Sequence, residues 1–221
     1  MNGKVLSFSK DDSGVTLIEL LITLIIIAIM ASIGIVEYGR FIAKDRGRRA
    51  TNDLFQNMRL ARTMAIKENR EYTVVIDTAN DRYMIGFDQN GDNDLLDNLD
   101  TFGICNDTNG DRLPDTNPDN NGDGVPDCVK VVNLSGYGST ISATLTTTPP
   151  NGPGGSGISN ASFFVFNPDG SAGPLGSVYI QETGRGYTYC VRLATAAGKI
   201  DLYVWDGDKD NASETIWPEI R

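Results

Sequence analysis

The sequence Ser13-Gly14-Val15-Thr16-Leu17-Ile18-Glu19-Leu20-Leu21 opens the run Val15–Val36, 22 residues in which Glu19 is the only ionisable side chain. At about 1.5 Å per residue, a helix of that length covers the roughly 30 Å hydrocarbon core of a bilayer. From Leu20 to Ile29 apolar side chains surround the helix on nearly all sides, whereas the core helix of a soluble protein usually keeps a polar face. The run therefore predicts a membrane-spanning helix over residues 15–36.

Glu19 is the exceptional residue of this span, because a carboxylate inside a bilayer costs about 2.5 kcal/mol or more. The residues Ser13 to Leu21 resemble the cleavage and methylation site of type IV prepilins and pseudopilins. The resemblance implies that a prepilin peptidase, which is also the methyltransferase, cuts after Gly14 and that Val15 is N-methylated. It also implies that Glu19 pairs with the new α-amine of a neighbouring pilin or pseudopilin subunit, which compensates both buried charges.

The resemblance to prepilins also implies that residues 1–14 are a leader peptide. Two cations, Lys4 and Lys10, precede the span, and four follow it closely: Lys44, Arg46, Arg48 and Arg49. Counting Lys and Arg alone places the larger C-terminal part inside the cell. Cleavage at the motif requires the opposite orientation, so we expect a single-pass protein of the bacterial inner membrane with its head in the periplasm.

A second helical segment, residues 37–70, follows the span without an interrupting proline. Apolar residues recur there at spacings of three and four, and they predict a stripe that packs on a head domain: Phe41, Leu54, Phe55, Met58, Ala61 and Ala65. Basic residues are expected to point elsewhere: Arg40, Arg48, Arg59, Arg62 and Lys67. This basic face could contact DNA or acidic headgroups, but a solvated face with ion pairs is the simpler interpretation.

From residue 71 the pattern changes to that of strands. Two runs around Thr78-Ala79-Asn80-Asp81 predict a hairpin, and further strands are predicted at Val129–Leu134, Phe163–Phe166, Val178–Ile180, Tyr187–Leu193 and Ile200–Val204. Thr148–Gly157 is rich in Pro and Gly and predicts a loop. The expected fold class is α+β, with the long N-terminal helix packed on an antiparallel β-sheet head over residues 71–221.

Two turns in the C-terminal half, together with the strands Val178–Ile180 and Tyr189–Leu193 between them, resemble the GspH/FimT family of pilin-like heads. The first is Phe166-Asn167-Pro168-Asp169-Gly170, where Gly170 would supply a positive φ, and the second is Gly198-Lys199-Ile200. Together with the N-terminal motif, the resemblance implies a minor pseudopilin of type II secretion or, alternatively, a FimT-like minor pilin of a type IV pilus that serves assembly, adhesion or DNA binding.

The acidic segment 88–128 is not part of that family pattern. Residues 88–127 contain eleven Asp, no Glu and one Arg, so they carry the whole net charge of -10. A motif D-x-N-x-D-x-(Leu/Val)-P-D occurs twice, with oxygen-bearing residues Asp107, Asn109, Asp111 and Asp115, and then Asp119, Asn121, Asp123 and Asp127. A weaker start of the same kind consists of Asp88, Asn90, Asp92 and Asp97.

This oxygen-rich spacing is typical of loops that bind a hard cation, and it resembles the thrombospondin type 3 calcium repeats. The alternative is a polar loop rich in Asx turns. We expect structural calcium, without which the Asp side chains would repel one another.

Cys105 and Cys128 bracket the repeats, and a disulfide between them is expected in an oxidising periplasm. Cys190 would then be an unpaired buried thiol, although its pairing with either of the others stays open.

The composition excludes several functions. The chain has no histidine, which removes His-based catalytic triads and His-ligated zinc sites. The Asp pairs could in principle act as glycosidase acids, but they lie in turn repeats that calcium explains better. Few basic residues occur in the head beyond the first hairpin, which argues against a nucleic-acid partner. The sequence predicts a non-enzymatic filament subunit.

Overall fold

The computed structural model describes residues 15–87, 128–145 and 160–205, apart from the side chains of residues 33, 34 and 36. The chain divides into two units, residues 1–41 and residues 42–221, which we describe separately. The predicted leader 1–14, most of the acidic segment and the predicted loop Thr148–Gly157 lie outside the described residues.

Helix α1 (Leu17–Glu68) contributes to both units. It covers nearly all of the two predicted helical segments, residues 15–36 and 37–70. Asn69 follows it with a φ of +55°, and the N–H of Arg70 donates to the carbonyl of Ala65 at 3.3 Å. A left-handed Asn with a backward hydrogen bond is a common way to end a helix, and Lys67 in the last turn complements the negative end of the helix dipole.

The described head contains nine strands and one 3-10 helix (Leu134–Tyr137). In chain order the strands are β1 (Tyr72–Asp77), β2 (Arg82–Gly86), β3 (Cys128–Asn133), β4 (Ile141–Thr144), β5 (Phe163–Phe166), β6 (Ala172–Gly173), β7 (Gly176–Glu182), β8 (Tyr187–Thr195) and β9 (Lys199–Trp205). They form a five-stranded sheet of order β3-β2-β1-β5-β6 and a four-stranded sheet of order β4-β7-β8-β9. All pairings between these strands are antiparallel, which confirms the α+β class.

The head has two sheets, whereas the sequence predicts a single antiparallel sheet. Strands β4 and β6 were also not predicted, because β6 has only two residues and β4, with the sequence Ile-Ser-Ala-Thr, lacks the run of large apolar residues that marks β5. The predicted hairpin is confirmed: β1 and β2 pair from Thr73↔Gly86 to Asp77↔Arg82. Asp77 fixes its turn by accepting hydrogen bonds from the N–H groups of Ala79 and Asn80, at 3.1 and 3.2 Å.

The core of the head lies between α1 and the two sheets. On the helix it uses residues spaced three or four apart, namely Ala50, Leu54, Met58, Ala61 and Ala65, all fully buried. Three of these are Ala, which lets the helix backbone approach the sheets closely. Side chains from both sheets meet them, including Tyr72, Val74, Ile85, Phe164, Ile180, Val191 and Leu193. Each fully buried Leu, Ile, Val or Phe contributes about 1.5–3 kcal/mol.

Phe41 is a correction to the predicted stripe. Its side chain is 67% exposed, and it belongs to the first unit rather than to the head. The buried stripe begins instead at Ala43, and it continues through Gly47. Periodicity alone could not locate this boundary, because Phe41 has an apolar side chain at a suitable spacing.

Tyr189 of β8 connects the four-stranded sheet to the first turns of the head's helix through a hydrogen bond and a ring contact. Its hydroxyl donates to the carbonyl of Lys44 at 2.7 Å, and its ring lies against Gly47. A Cβ at position 47 would lie 2.5 Å from Cε2 of the Tyr189 ring. Because Tyr189 is only 1% exposed, the ring has no room to move away. Glycine is therefore required here for close approach.

Candidate functional site

The first unit presents the N-terminal motif at the start of α1. Val15 is 73% exposed, and the hydroxyl of Thr16 accepts a hydrogen bond from the N–H of Glu19 at 3.3 Å, which caps the first turn. Glu19 is exposed, and its carboxylate makes no hydrogen bond or ion pair with the residues that the structure describes. The predicted cleavage residue Gly14 lies outside those residues. The Glu19 carboxyl group therefore has no partner among the described residues, although it lies within an apolar helix.

The rest of this unit is an apolar surface. Large side chains from Leu17 to Met30 are 50–84% exposed. Two hydroxyls further along the span are satisfied within the helix: Thr23 donates to the carbonyl of Leu20 at 2.8 Å, and Ser32 donates to that of Ile29 at 2.7 Å. Hydroxyls bonded to their own helix tolerate an apolar environment. This segment is the one candidate membrane span found among the described residues.

In the head, Arg62 joins the two turns that carried the family resemblance. Its Nε donates to the carbonyl of Gly170 at 3.1 Å, and its Nη2 donates to the carbonyl of Ala197 at 2.8 Å. The two turns belong to different sheets, since the first connects β5 to β6 of the five-stranded sheet and the second connects β8 to β9 of the four-stranded sheet. Arg62 was predicted to face away from the head. The structure corrects this: the long side chain is half-buried and bonded to both turns.

Glycine is needed in both turns. The φ of Gly170 is +84°, as predicted, and that of Gly198 is +75°. A Cβ on Gly198 would also lie 2.7 Å from Nε of Arg62. The first turn is closed by the N–H of Gly170, which donates to the carbonyl of Asn167 at 2.9 Å. The two turns are therefore parts of one structural unit centred on Arg62.

A surface groove of about 450 Å³ lies beside this unit, lined by Phe55, Arg59, Arg62, Thr63, Ile66, Gly198, Lys199 and Ile200. The guanidinium of Arg59 lies over the Phe55 ring at 5.5 Å, and Lys199 forms an ion pair with Asp201 at 2.9 Å. The lining contains no Cys, Asp, Glu or Ser side chain. It therefore offers no carboxylate, and its one hydroxyl, that of Thr63, donates to the carbonyl of Arg59 at 2.9 Å.

A buried polar cluster between α1 and the first sheet was not predicted. The Asp53 carboxylate accepts hydrogen bonds from the hydroxyls of Tyr83 and Tyr137, at 2.6 and 2.7 Å. Asn57 donates to the Tyr83 hydroxyl at 2.6 Å and accepts from Lys130 Nζ at 2.6 Å. Burial and the adjacent Asp53 charge raise the pKa of Tyr83. The signal in the sequence was two polar residues four apart, Asp53 and Asn57, within the buried stripe.

The acidic segment connects β2 to β3. These strands pair antiparallel, and Gly86 at the end of β2 is the register partner of Cys128 at the start of β3. All twelve predicted calcium ligands, residues 88–127, lie outside the described residues. Within the described ranges, no group of three or more Cys, Asp or Glu side chains is arranged to hold a metal ion.

The structure describes two of the three cysteines, Cys128 and Cys190. Cys190 is a fully buried free thiol on β8, and burial raises its pKa to about 12. Cys128 is 1% exposed at the start of β3. Cys105 lies outside the described residues, so its disulfide with Cys128 stays a prediction.

Comparison with known proteins identifies the family. Residues 50–197 match the family described as type II transport protein GspH, and residues 9–35 match the prokaryotic N-terminal methylation motif. The first match begins at Ala50 in the helix of the head and includes every strand from β1 to β8. The chain belongs to the GspH family.

Two solved structures are similar at low sequence identity. The minor pseudopilin EpsH from the type 2 secretion system of Vibrio cholerae is 11% identical, with a TM-score of 0.42 over 72% of this chain and 97% of that one. The type IV minor pilin FimU of Pseudomonas aeruginosa is 14% identical, with a TM-score of 0.40 over 73% of this chain and 91% of that one. No curated protein matches the chain.

Proposed function

We propose that this chain is a minor pseudopilin, a non-enzymatic structural subunit of the type II secretion pseudopilus. The observation that carries the proposal is the GspH match over residues 50–197 in a chain whose N-terminal helix is apolar and exposed. An exposed apolar helix needs a bilayer or other helices around it. The methylation motif supports processing by a prepilin peptidase and assembly with other pilin-class subunits.

The proposed working cycle has two environments for the same helix. Before assembly, the segment from Val15 to Val36 anchors the chain in the inner membrane and the head lies in the periplasm. After assembly, the helix packs among the helices of neighbouring subunits. Glu19 then faces the α-amine of a neighbour, which compensates the charge that the described residues leave unpaired.

A deletion strain tests the system to which the subunit belongs. We expect secreted enzymes to accumulate in the periplasm while surface pili stay normal in number. Normal secretion with fewer pili, or with lost DNA uptake, would identify a minor pilin of a type IV pilus instead. Both quantities are measured on the same cells, so that each outcome separates the two systems.

Replacing Glu19 tests the assembly step. In Glu19→Gln the leader is still removed, but copurification with other pseudopilins is expected to fall at least tenfold. Glu37→Gln is the matched control, because Glu37 is also an exposed carboxylate of α1 and is already paired with Arg40 at 3.0 Å. Equal copurification of the two variants would contradict the role of Glu19.

An alkaline phosphatase fused after Arg221 tests the orientation. The enzyme folds only after export, so a periplasmic head predicts an active fusion. An inactive fusion would support the count of Lys and Arg residues, which favours a cytoplasmic head.

We further propose that the repeats over residues 107–127 bind structural calcium, with a third loop at residues 88–97. The support is the twice-repeated spacing of Asp and Asn oxygens and the net charge of -10 over residues 88–127. Calcium is expected to protect this segment from protease, whereas magnesium or a chelator is not, because magnesium keeps most of its water ligands. Identical cleavage under all three conditions would exclude the site.

A further inference from the structure

Three exposed cations lie at the start of the head's helix: Lys44, Arg48 and Arg49, which we call the juxtamembrane cations. The buried residues of the same turns are Ala43, Gly47 and Ala50, which pack against the head. The juxtamembrane cations occupy the remaining sides of the helix. Arg46 does not belong to this group, because its side chain is half-buried and lies against Gly138.

The charges of these residues are available for a ligand. The side chains of Lys44 and Arg48 form no hydrogen bond or ion pair with the part of the chain that the structure describes. Arg49 pairs with Asp45 at 3.0 Å, but the two side chains are 61% and 42% exposed. Exposed pairs of this kind are weak and exchange readily with other partners.

Their place in the sequence points to the ligand. Lys44 comes eight residues after Val36, the last residue of the apolar run. Between them lie Tyr38 and Phe41, which are 66% and 67% exposed. Aromatic residues are enriched where a membrane helix meets water, and long basic side chains near the ends of such helices extend to the headgroups.

We propose that the juxtamembrane cations bind the phosphate groups of anionic phospholipids at the surface of the membrane that anchors the chain. A guanidinium offers parallel N–H donors to two phosphate oxygens, and Lys44 adds a point charge. The proposal rests on the membrane anchor and not on a particular secretion system. The two proposals can therefore fail separately.

Arg59 and Lys67 provide a matched control. Both are exposed on the same helix, and together they contain one Arg and one Lys, as do Lys44 and Arg48. Arg59 lies 11 residues after Arg48, which is about 16 Å along a helix. That separation exceeds the roughly 8 Å range of electrostatic attraction at physiological salt, so these two cations should not contribute to headgroup binding.

The experiment measures lipids retained by the full-length protein. The protein is purified in a nonionic detergent and titrated with phosphatidylglycerol or phosphatidylcholine, and bound lipids are counted by native mass spectrometry. We compare wild type, Lys44→Gln/Arg48→Gln and Arg59→Gln/Lys67→Gln, after circular dichroism has shown equal helix content. Inorganic phosphate is added as a competitor in a separate titration.

We expect wild type to prefer phosphatidylglycerol and Lys44→Gln/Arg48→Gln to lose about fivefold in affinity for each cation removed. The Arg59→Gln/Lys67→Gln variant should retain the wild-type preference. An equal loss in both variants would show a net-charge effect, and an unchanged preference in Lys44→Gln/Arg48→Gln would show no effect of the cations. Competition by millimolar inorganic phosphate would show a free-anion site. Each of these three results would overturn the proposal.

Discussion

Arg62 links the two sheets through the carbonyls of Gly170 and Ala197. In Arg62→Leu these carbonyls lose their donor, so we expect the free energy of unfolding to fall by about 1–3 kcal/mol. Urea unfolding followed by circular dichroism measures the change. Arg59→Leu is the control, since Arg59 is exposed and its guanidinium lies over the Phe55 ring, and its free energy of unfolding should stay within about 0.5 kcal/mol of wild type. Equal losses would show that the two hydrogen bonds contribute nothing specific.

Asp77 is expected to make the stability of the head depend on pH in the acid range. Burial raises the pKa of its carboxyl, but hydrogen bonds from Asn80 and Arg82 outweigh this and lower the pKa below its ordinary value of 3.8. A lowered pKa contributes stability that is complete above pH 3.8 and is lost as pH falls further.

Asp77→Asn removes this contribution and weakens the contact with Arg82, which lies 2.9 Å from Asp77. We therefore expect the variant to be about 1–3 kcal/mol less stable than wild type at pH 7. The difference should narrow as the pH is lowered from 5 to 2.5. Denaturant titrations at several pH values measure it, and a difference that stays constant with pH would contradict the assignment.

At the scale of elements, Gly47 determines how closely α1 approaches β8. Alanine is the better helix former by about 1 kcal/mol, so Gly47→Ala would stabilise an isolated helix. In this protein the new Cβ would lie 2.5 Å from the Tyr189 ring, so we expect a net loss of about 1–3 kcal/mol. Tyr189→Leu in the same background should recover part of it by relieving the clash. Higher thermal stability of Gly47→Ala alone would contradict the packing argument.

The elements differ in how well the sequence predicts them. The range of α1 follows from the absence of proline and from apolar periodicity, and β5 follows from the unbroken Phe163–Phe166. The order of strands in two sheets could not be predicted, because pairing depends on contacts between distant residues. The predicted direction of the Arg62 side chain was wrong for a related reason. Periodicity gives the side of a helix from which a side chain starts, but a long side chain can turn back to distant carbonyls.

For the whole molecule, the division into two units predicts that the head folds without residues 1–41. The fully buried core residues of α1 begin at Ala50, and no large apolar residue before Ile42 is buried in the described part of the chain. A fragment of residues 42–221 should therefore fold alone and lose the exposed apolar surface. We expect a monomer by size-exclusion chromatography with a cooperative thermal transition. A fragment that aggregates or melts without cooperativity would show that residues 15–41 are needed for folding of the head.

The pairing of Gly86 with Cys128 has a consequence for how this protein can vary. The sheet holds the two ends of the 88–127 connection close together, and Phe87 just before it is a buried core residue. A change in the length of residues 88–127 therefore alters mainly the entropy of closing the connection. Each doubling of a flexible loop costs only about 0.6 kcal/mol. This end of the paired strands β2 and β3 should therefore tolerate insertions, deletions and replacements. A short turn, a different ligand-binding module or a fluorescent reporter grafted there should leave the register of both sheets intact.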